Sequence, residues 1–354
     1  MKTIQDIFDW DFMTAPQTLV ALSYKCQRGV AWKGSVLRFI HHRYRSCIKL
    51  SYLLRTGQYK KKPLFHFTLN ERGKTRLISP VNYVDRLVQK TFCEHCLLPL
   101  IVPTLINDNG ASLKNKGTQF SRDRFKHHLQ SFIRKYGTDG YFVSVDYHNY
   151  FHSINNDIAF NNFYKWMHAK ARNQTEHDNV NKILNVLKQF IYDEQGMGLG
   201  NQTSQLVAIS YCNHIDHYIK EKLRIKQYGR YMDDSYAFVH TKAEAHQLVK
   251  YITEASEQIG LKVNTNKTCI MPITRPFTWL KNVYYVSKTG KINIKVKSCV
   301  YRRFKRHINN IIKAGKYDAV MLSIVSFGGI INRATNKNAF KYKVEKELPC
   351  QISL

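Results

Sequence analysis

Acidic side chains are scarce in this sequence. Its 354 residues carry 25 Asp plus Glu against 55 Lys plus Arg, a formal net charge of +30. That deficit is the electrostatic footprint of a polyanion binder, whose grip counterion release makes sensitive to salt. Long apolar runs are missing too: none approaches the ~20 residues that a membrane-spanning helix needs. The N-terminal stretch Met-Lys-Thr-Ile-Gln-Asp-Ile-Phe-Asp-Trp lacks the apolar core of a signal peptide. A cytoplasmic location with no membrane partner is therefore the expectation. No long low-complexity segment or internal repeat is present, which argues against a repeat array. The eight cysteines are scattered, and in an intracellular chain they read as reduced thiols. Cys93 and Cys96 form the one short pair. With no second ligand pair at similar spacing, they read as two thiols one helical turn apart, not as a zinc site.

What is present argues for an ordered protein. Hydrophobic residues make up 44% and aromatics 13%, and the length suggests about two to three domains or lobes. Residues 1–60 read as helical and basic. A strand-turn-strand pattern over 64–78 follows, with basic residues on its return arm. Helices are expected over 84–98 and 119–135. Alternation over 141–146 predicts a strand with Tyr141, Val143 and Val145 on one face and Asp146 delivered at its end. Residues 157–192 read as helical, and another helix is expected over 204–223 after the glycine-rich loop 196–200. Two short strands folded at Met232-Asp233-Asp234 come next, then a helix on the Leu248, Ile252, Ala255 and Ile259 spacing that Gly260 ends, then a strand from Leu261. Beyond Phe277 a short sheet-like region and a basic helix around 301–307 close the pattern. The fold class is α+β.

The acids that do occur are placed pointedly. An Asp-Asp dipeptide on its own usually marks a surface turn. Asp233 and Asp234, however, lie between Tyr231 and Tyr236-Ala237-Phe238-Val239, where burying two carboxylates costs desolvation unless cations occupy the site. Joined by Asp146 on a paired strand, they would supply the three carboxylates that two-metal phosphoryl transfer needs.

At this point the residues resemble a known family. Tyr231-Met232-Asp233-Asp234 is similar to the active-site box of reverse transcriptases. Val145-Asp146 with Tyr150-Phe151-His152-Ser153-Ile154 resembles the family's first acidic motif. The run from Gly196 through Leu199-Gly200-Asn201-Gln202-Thr203-Ser204-Gln205 resembles the loop and helix start lining its nucleotide pocket. Gly73-Lys74-Thr75-Arg76-Leu77-Ile78 resembles its fingers hairpin. The resemblance implies a right-hand polymerase fold with an antiparallel palm sheet, a helical N-terminal extension and a helical thumb. It divides the chain into 1–60 extension, 61–138 fingers, 139–276 palm and 277–354 primer-grip region and thumb. It implies that Asp146 and Asp233 ligate two Mg²⁺ ions, with Mn²⁺ as a substitute, and that Asp234 supports them. Lys74 and Arg76 would hold the triphosphate, Phe151 would act as the steric gate against ribose, and Lys267 would protonate the leaving pyrophosphate. Leu199, Gly200, Ser204 and Gln205 would line the nucleotide site. Implied partners are an RNA template or noncoding RNA, dNTPs, the cDNA product and its RNA–DNA duplex, with an accessory protein or homo-oligomer left open.

The sequence also departs from the family. Many relatives carry Gln where Leu199 stands, and the Leu-Gly-Asn-Gln-Thr-Ser-Gln box instead resembles diversity-generating-retroelement and defence-associated bacterial enzymes. Leu199 is expected to relax base discrimination. In Phe277-Thr278-Trp279-Leu280-Lys281-Asn282, Lys281 replaces the small residue of the primer-grip turn. His148-Asn149 and His152 stand where relatives favour basic residues and Pro, and none of them is expected to bind metal. The length after the palm leaves no room for an RNase H, integrase or maturase extension, which disfavours a retroviral or mobile-intron role. Two enzymatic roles stay open, antiphage defence on a dedicated noncoding RNA and error-prone diversification, with defence preferred. A catalytically vestigial RNA scaffold is the alternative of another class. The primer, whether RNA, DNA or a protein hydroxyl, also stays open.

Overall fold

The computed structural model describes residues 7–71, 74–331, 334–335 and 337–338. The chain opens with helices α1 (Trp10–Thr14), α2 (Pro16–Cys26), α3 (Gly34–His41) and α4 (Arg43–Arg55). Local signals start the first two. Asp9 caps α1 by accepting from the Phe12 N–H at 2.8 Å, and Pro16 sits at the start of α2, where its missing N–H costs nothing. Strands β1 (Phe67–Glu71) and β2 (Lys74–Ile78) form the expected antiparallel hairpin, with Phe67 opposite Ile78. Arg72 and Gly73 at its tip lie outside the described residues. Helix α5 (Tyr83–Phe92) runs through a π-helical turn (Cys93–Leu97) into α6 (Leu98–Ile101), and the basic helix α7 (Thr118–Tyr136) follows. Cys93 and Cys96 are buried on that turn, and burial pushes the Cys93 thiol up to about 12, so neither offers a thiolate.

Strand β3 (Tyr141–Val145) leads into α8 (Tyr150–Ser153), α9 (Asn156–Lys170), α10 (Gln174–Ile191), α11 (Gln202–Tyr211) and α12 (Asn213–His217). The helical reading of 157–192 resolves into two helices. The chain breaks after Lys170, and the Asn173 side chain caps α10 by accepting from the Glu176 N–H at 2.9 Å. The helix expected over 204–223 likewise divides into α11, α12 and a π-helical turn (Tyr218–Lys222). Strands β4 (Tyr228–Tyr231) and β5 (Asp234–Val239), helix α13 (Lys242–Glu257) and strand β6 (Cys269–Pro272) complete this part of the chain. The central sheet has the order β4-β5-β3-β6 and is antiparallel throughout.

A strand does not begin at Leu261. Leu261 and Val263 are buried singly, which mimics alternation, but residues 261–268 form a loop tied to the end of β3 by the Tyr147–Val263 bridge. In that loop the His148 N–H donates to the Lys262 carbonyl and the Asn264 N–H to the Asp146 carbonyl, each at 2.8 Å. Strands β7 (Phe277–Trp279), β8 (Asn282–Val286) and β9 (Ile292–Val296) make a second sheet, and helices α14 (Ser298–Lys313) and α15 (Tyr317–Ile331) follow.

Both faces of the central sheet are covered. Val143, Val145, Ala237 and Val239 join a large, mainly aliphatic core with α2, α5, α10 and α11. Phe142, Tyr236 and Phe238 join an aromatic core with Phe125 of α7 and with Phe277, Trp279 and Tyr284 of the second sheet. Phe125 lies at its centre, 4.5 Å from Tyr284 and stacked on Trp279 at 5.7 Å between ring centroids. This core fixes the second sheet against the first, so truncating Phe125 would cost about 3–5 kcal/mol.

Candidate active site

The β4–β5 hairpin pairs Tyr231 with Asp234, leaving Met232 and Asp233 as a two-residue turn. Met232 has φ +58°, a left-handed backbone that a side chain with a Cβ adopts only at some cost. Arg230 holds it there. Its guanidinium is 1% exposed and donates to the Met232 carbonyl at 3.1 Å and the Ile209 carbonyl at 2.8 Å. It also donates to Asp216 Oδ2 at 2.7 Å and to Oδ1 at 3.0 Å, and the Tyr228 hydroxyl donates to the same carboxylate at 2.7 Å. The sequence reading passed over both Arg230 and Asp216. The available signals were an arginine two residues before the turn and an aspartate between Ile215 and His217.

Strand β3 brings the third acid. Val145 lies opposite Ser235, so the next antiparallel step sets Asp146 across from Asp234. Asp146 is 7% exposed, and Asp234 is half-buried. Burial raises the Asp234 carboxyl to about 7. The negative charges of Asp233 and Asp146 and a hydrogen bond shared with Asp146 add to the shift, and Lys267 opposes it. The Lys267 ammonium donates to Asp146 Oδ1 at 2.7 Å, and that hydrogen bond raises the lysine above its ordinary range. The loop tied to β3 is what delivers Lys267 there.

These groups open onto a cleft of about 1290 Å³. Arg76 of β2 and Phe151 of α8 line one part of it. Arg303 and His307 of α14 and Phe327 of α15 line another. The Leu280–Lys281 turn also borders it, with φ +42° and +72°, both left-handed. Such a two-residue hairpin favours Asn-Gly. Here Arg122 holds it by donating to the Leu280 carbonyl at 2.7 and 3.2 Å.

Not every residue singled out in the sequence converges. The Lys74 side chain lies outside the described residues. Leu199, Gly200, Ser204 and Gln205 are not among the described residues that line the cleft. Ser204 is buried in α11, while Gln205 and Gly200 are exposed. The glycine-rich loop is nevertheless docked beside the site. The Met197 N–H donates to the Phe151 carbonyl at 2.7 Å, and the Ser79 N–H, just after β2, to the Leu199 carbonyl at 3.1 Å. Gly196 has φ +72°, and a Cβ there would lie 2.5 Å from the His152 carbonyl oxygen, so the close approach requires glycine.

Three carboxylates supply the hard oxygen donors that divalent cations prefer. Among the described residues, no three His, Cys, Asp or Glu side chains are arranged as a ready metal cage, and the Lys267 ammonium takes up one oxygen of Asp146. The carboxylates thus fit a cation, with an ammonium in part of the place.

The acid-tipped hairpin on an antiparallel sheet, facing a cleft bordered by α14 and α15, defines a right-hand polymerase palm. The sequence profile of the reverse transcriptase (RNA-dependent DNA polymerase) family matches residues 59–283, and the chain belongs to that family. No curated protein matches the sequence. Among solved structures, telomerase from Candida albicans in complex with a TWJ fragment of telomeric RNA aligns with a TM-score of 0.51 and 12% identity, covering 77% of this chain and 55% of that one. Apo telomerase from Candida tropicalis aligns at 0.50 with 14% identity, covering 67% and 48%. The chain therefore spans about half the length of these telomerases, and the likeness is one of fold.

Proposed function

We propose that the chain is an RNA-directed DNA polymerase that adds deoxynucleotides to a primer 3′-hydroxyl. The observation carrying this reading is the convergence of Asp146, Asp233 and Asp234 on one cleft beside Lys267. In this reading residues 61–138 are the fingers, 139–276 the palm, 277–354 the primer grip and thumb, and 1–60 an extension. Asp146 and Asp233 would hold two divalent cations, Mg²⁺ or Mn²⁺, with Asp234 in support. Bound there, the ions would polarise the attacking hydroxyl and screen the leaving pyrophosphate.

The chain's own groups do the rest. Lys74 and Arg76 bind the triphosphate, and the Phe151 ring stands where a ribose 2′-hydroxyl would lie. As the primer hydroxyl loses its proton to solvent and its oxygen bonds to the α-phosphorus, the bond to the pyrophosphate oxygen breaks, and Lys267 gives that oxygen a proton. Leu199 supports the nucleotide site through its backbone contact with Ser79 and offers no side-chain hydrogen bond to a base. Replacing it with Gln and sequencing the cDNA checks this: an altered error spectrum is expected, and an unchanged one removes the role.

The decisive assay is Mg²⁺-dependent incorporation of dNTPs on an RNA template. Asp233→Asn is expected to abolish it. Incorporation that survives the substitution would refute the mechanism, and a wild type that binds RNA without incorporation would assign the scaffold reading. We further propose a dedicated noncoding RNA as template, in antiphage defence. Sequencing co-purified nucleic acid tests that: a fixed small RNA with repetitive cDNA supports it, and an adenine-mutated gene copy assigns diversification instead.

A further inference from the structure

Between Ala15 and Asn70 the chain carries eleven Lys or Arg and no Asp or Glu. Some of those cations are already committed. Lys25 pairs with Glu94, Lys61 with Asp193, and Arg43 is buried against Ser23 and Gln27. Others are not. On α4, Arg45 and Lys49 are exposed, as is Arg38 on α3, and none of the three has an ion-pair partner among the described residues.

The same face of α4 carries apolar surface. Tyr44, Ile48 and Tyr52 recur every four residues and are 67%, 60% and 59% exposed, interleaved with the free cations. The helix is anchored from behind, because Cys47, Leu50 and Leu54 are buried in the main core. Tyr44 and Tyr52 therefore stand about 12 Å apart on a rigid rod. No residue of α1 to α4 is among those described as lining the catalytic cleft, and these helices precede the segment matched by the family profile.

We propose that this face of α3 and α4 is a second nucleic-acid site, which holds an unpaired stretch of RNA outside the catalytic cleft. Tyr44 and Tyr52 stack on bases, while Arg38, Arg45 and Lys49 contact phosphates. Unpaired RNA is favoured over duplex because an exposed ring finds a free base face only where strands are unpaired. A membrane surface is disfavoured because the stronger apolar faces of these helices, Val36 and Phe39 on α3 and Leu50 and Leu54 on α4, already point into the protein. The site goes beyond the polymerase reading and does not require catalysis.

The test uses the full chain preloaded with an unlabelled primer–template duplex, so that the cleft is occupied. A short, labelled, unstructured RNA is then titrated by fluorescence anisotropy, with primer extension by the wild type read in parallel. Absent extension would count against the polymerase reading alone. The preloaded protein is expected to bind the labelled RNA more tightly than a duplex of the same length. Tyr44→Leu with Tyr52→Leu should weaken that binding about tenfold or more, and Tyr44→Phe with Tyr52→Phe should restore it. Arg45→Gln with Lys49→Gln should lower the slope of log K against log salt by about 1.4. No binding by the preloaded protein would overturn the proposal, as would leucine variants that bind like the wild type or a failure of phenylalanine to restore binding. Uptake of phosphatidylserine vesicles that both pairs of substitutions abolish, with RNA binding unmoved, would assign the face to a membrane and overturn it too.

Discussion

Arg230 and Asp234 stand four residues apart on one hairpin, and the protein surrounds their charges in opposite ways. Around Arg230 charge is matched. The guanidinium and the Asp216 carboxylate are sealed from water, and both oxygens of the acid are engaged. Around Asp234 like charges crowd together. The carboxylates of Asp146 and Asp233 lie close to it, the Lys267 ammonium opposes them, and the Asp234 proton is held up to about 7 in consequence. A matched buried pair fixes geometry, and here it holds the Met232 carbonyl and the left-handed turn. A crowded cluster of like charges costs stability and is retained where a cation arrives with the substrate. The contrast separates the acids that build the site from those that work in it.

That contrast can be broken most visibly at the crowded acids. Asp234→Asn is expected to slow primer extension at least about a thousandfold while leaving stability at pH 8 equal or improved, because a like charge has been removed. Extension assays and thermal melts check the two halves separately. At the matched pair the signs invert. Asp216→Ala leaves Arg230 buried without a counter-charge and should cost about 3–5 kcal/mol in denaturant unfolding. Replacing both members, with Arg230→Met and Asp216→Leu, should recover much of that stability yet leave extension slow, since nothing then donates to the Met232 carbonyl.

Lys267 bridges the two regimes. Lys267→Gln should slow extension about a hundredfold, as expected for loss of a general acid, with the fold intact by circular dichroism. The smallest effect concerns pH. Burial depresses His128 to about 4, with its ring against the Tyr236 hydroxyl at 3.0 Å and near Asp108 and Arg124. A histidine whose folded pKa is depressed takes up protons on unfolding, so its contribution is complete above about 6.5 and is lost as the pH falls toward 4. Between pH 7 and 5 the wild type should lose about 2 kcal/mol through this group. His128→Gln should flatten that dependence in urea titrations at the two pH values.

Much of the site was legible in the sequence because its signals are local. Alternation placed Asp146 at a strand end, and apolar arms around Asp233 and Asp234 marked a hairpin whose turn is not an ordinary surface turn. The illegible parts are those that depend on how distant segments meet. Arg230 finds Asp216 across an irregular stretch where one helix divides into α11, α12 and a π-helical turn, and no periodicity announces that division. Lys267 reaches Asp146 only because a loop that imitates a strand is tied to the end of β3. Ser204 lies on a helix buried on almost every side, so spacing alone could not say which of its faces meets the site. The Leu280–Lys281 turn carries neither Asn nor Gly, and its left-handed backbone depends on Arg122, far away in sequence.

The central claim is that the crowded carboxylates are a cation socket held in shape by the matched pair. Titration of the full chain with Mn²⁺, followed by the electron paramagnetic resonance signal of the free ion, tests it most directly. The wild type should deplete that signal, and Asp233→Asn should restore it without lowering the melting temperature. Equal depletion by wild type and variant would contradict the account.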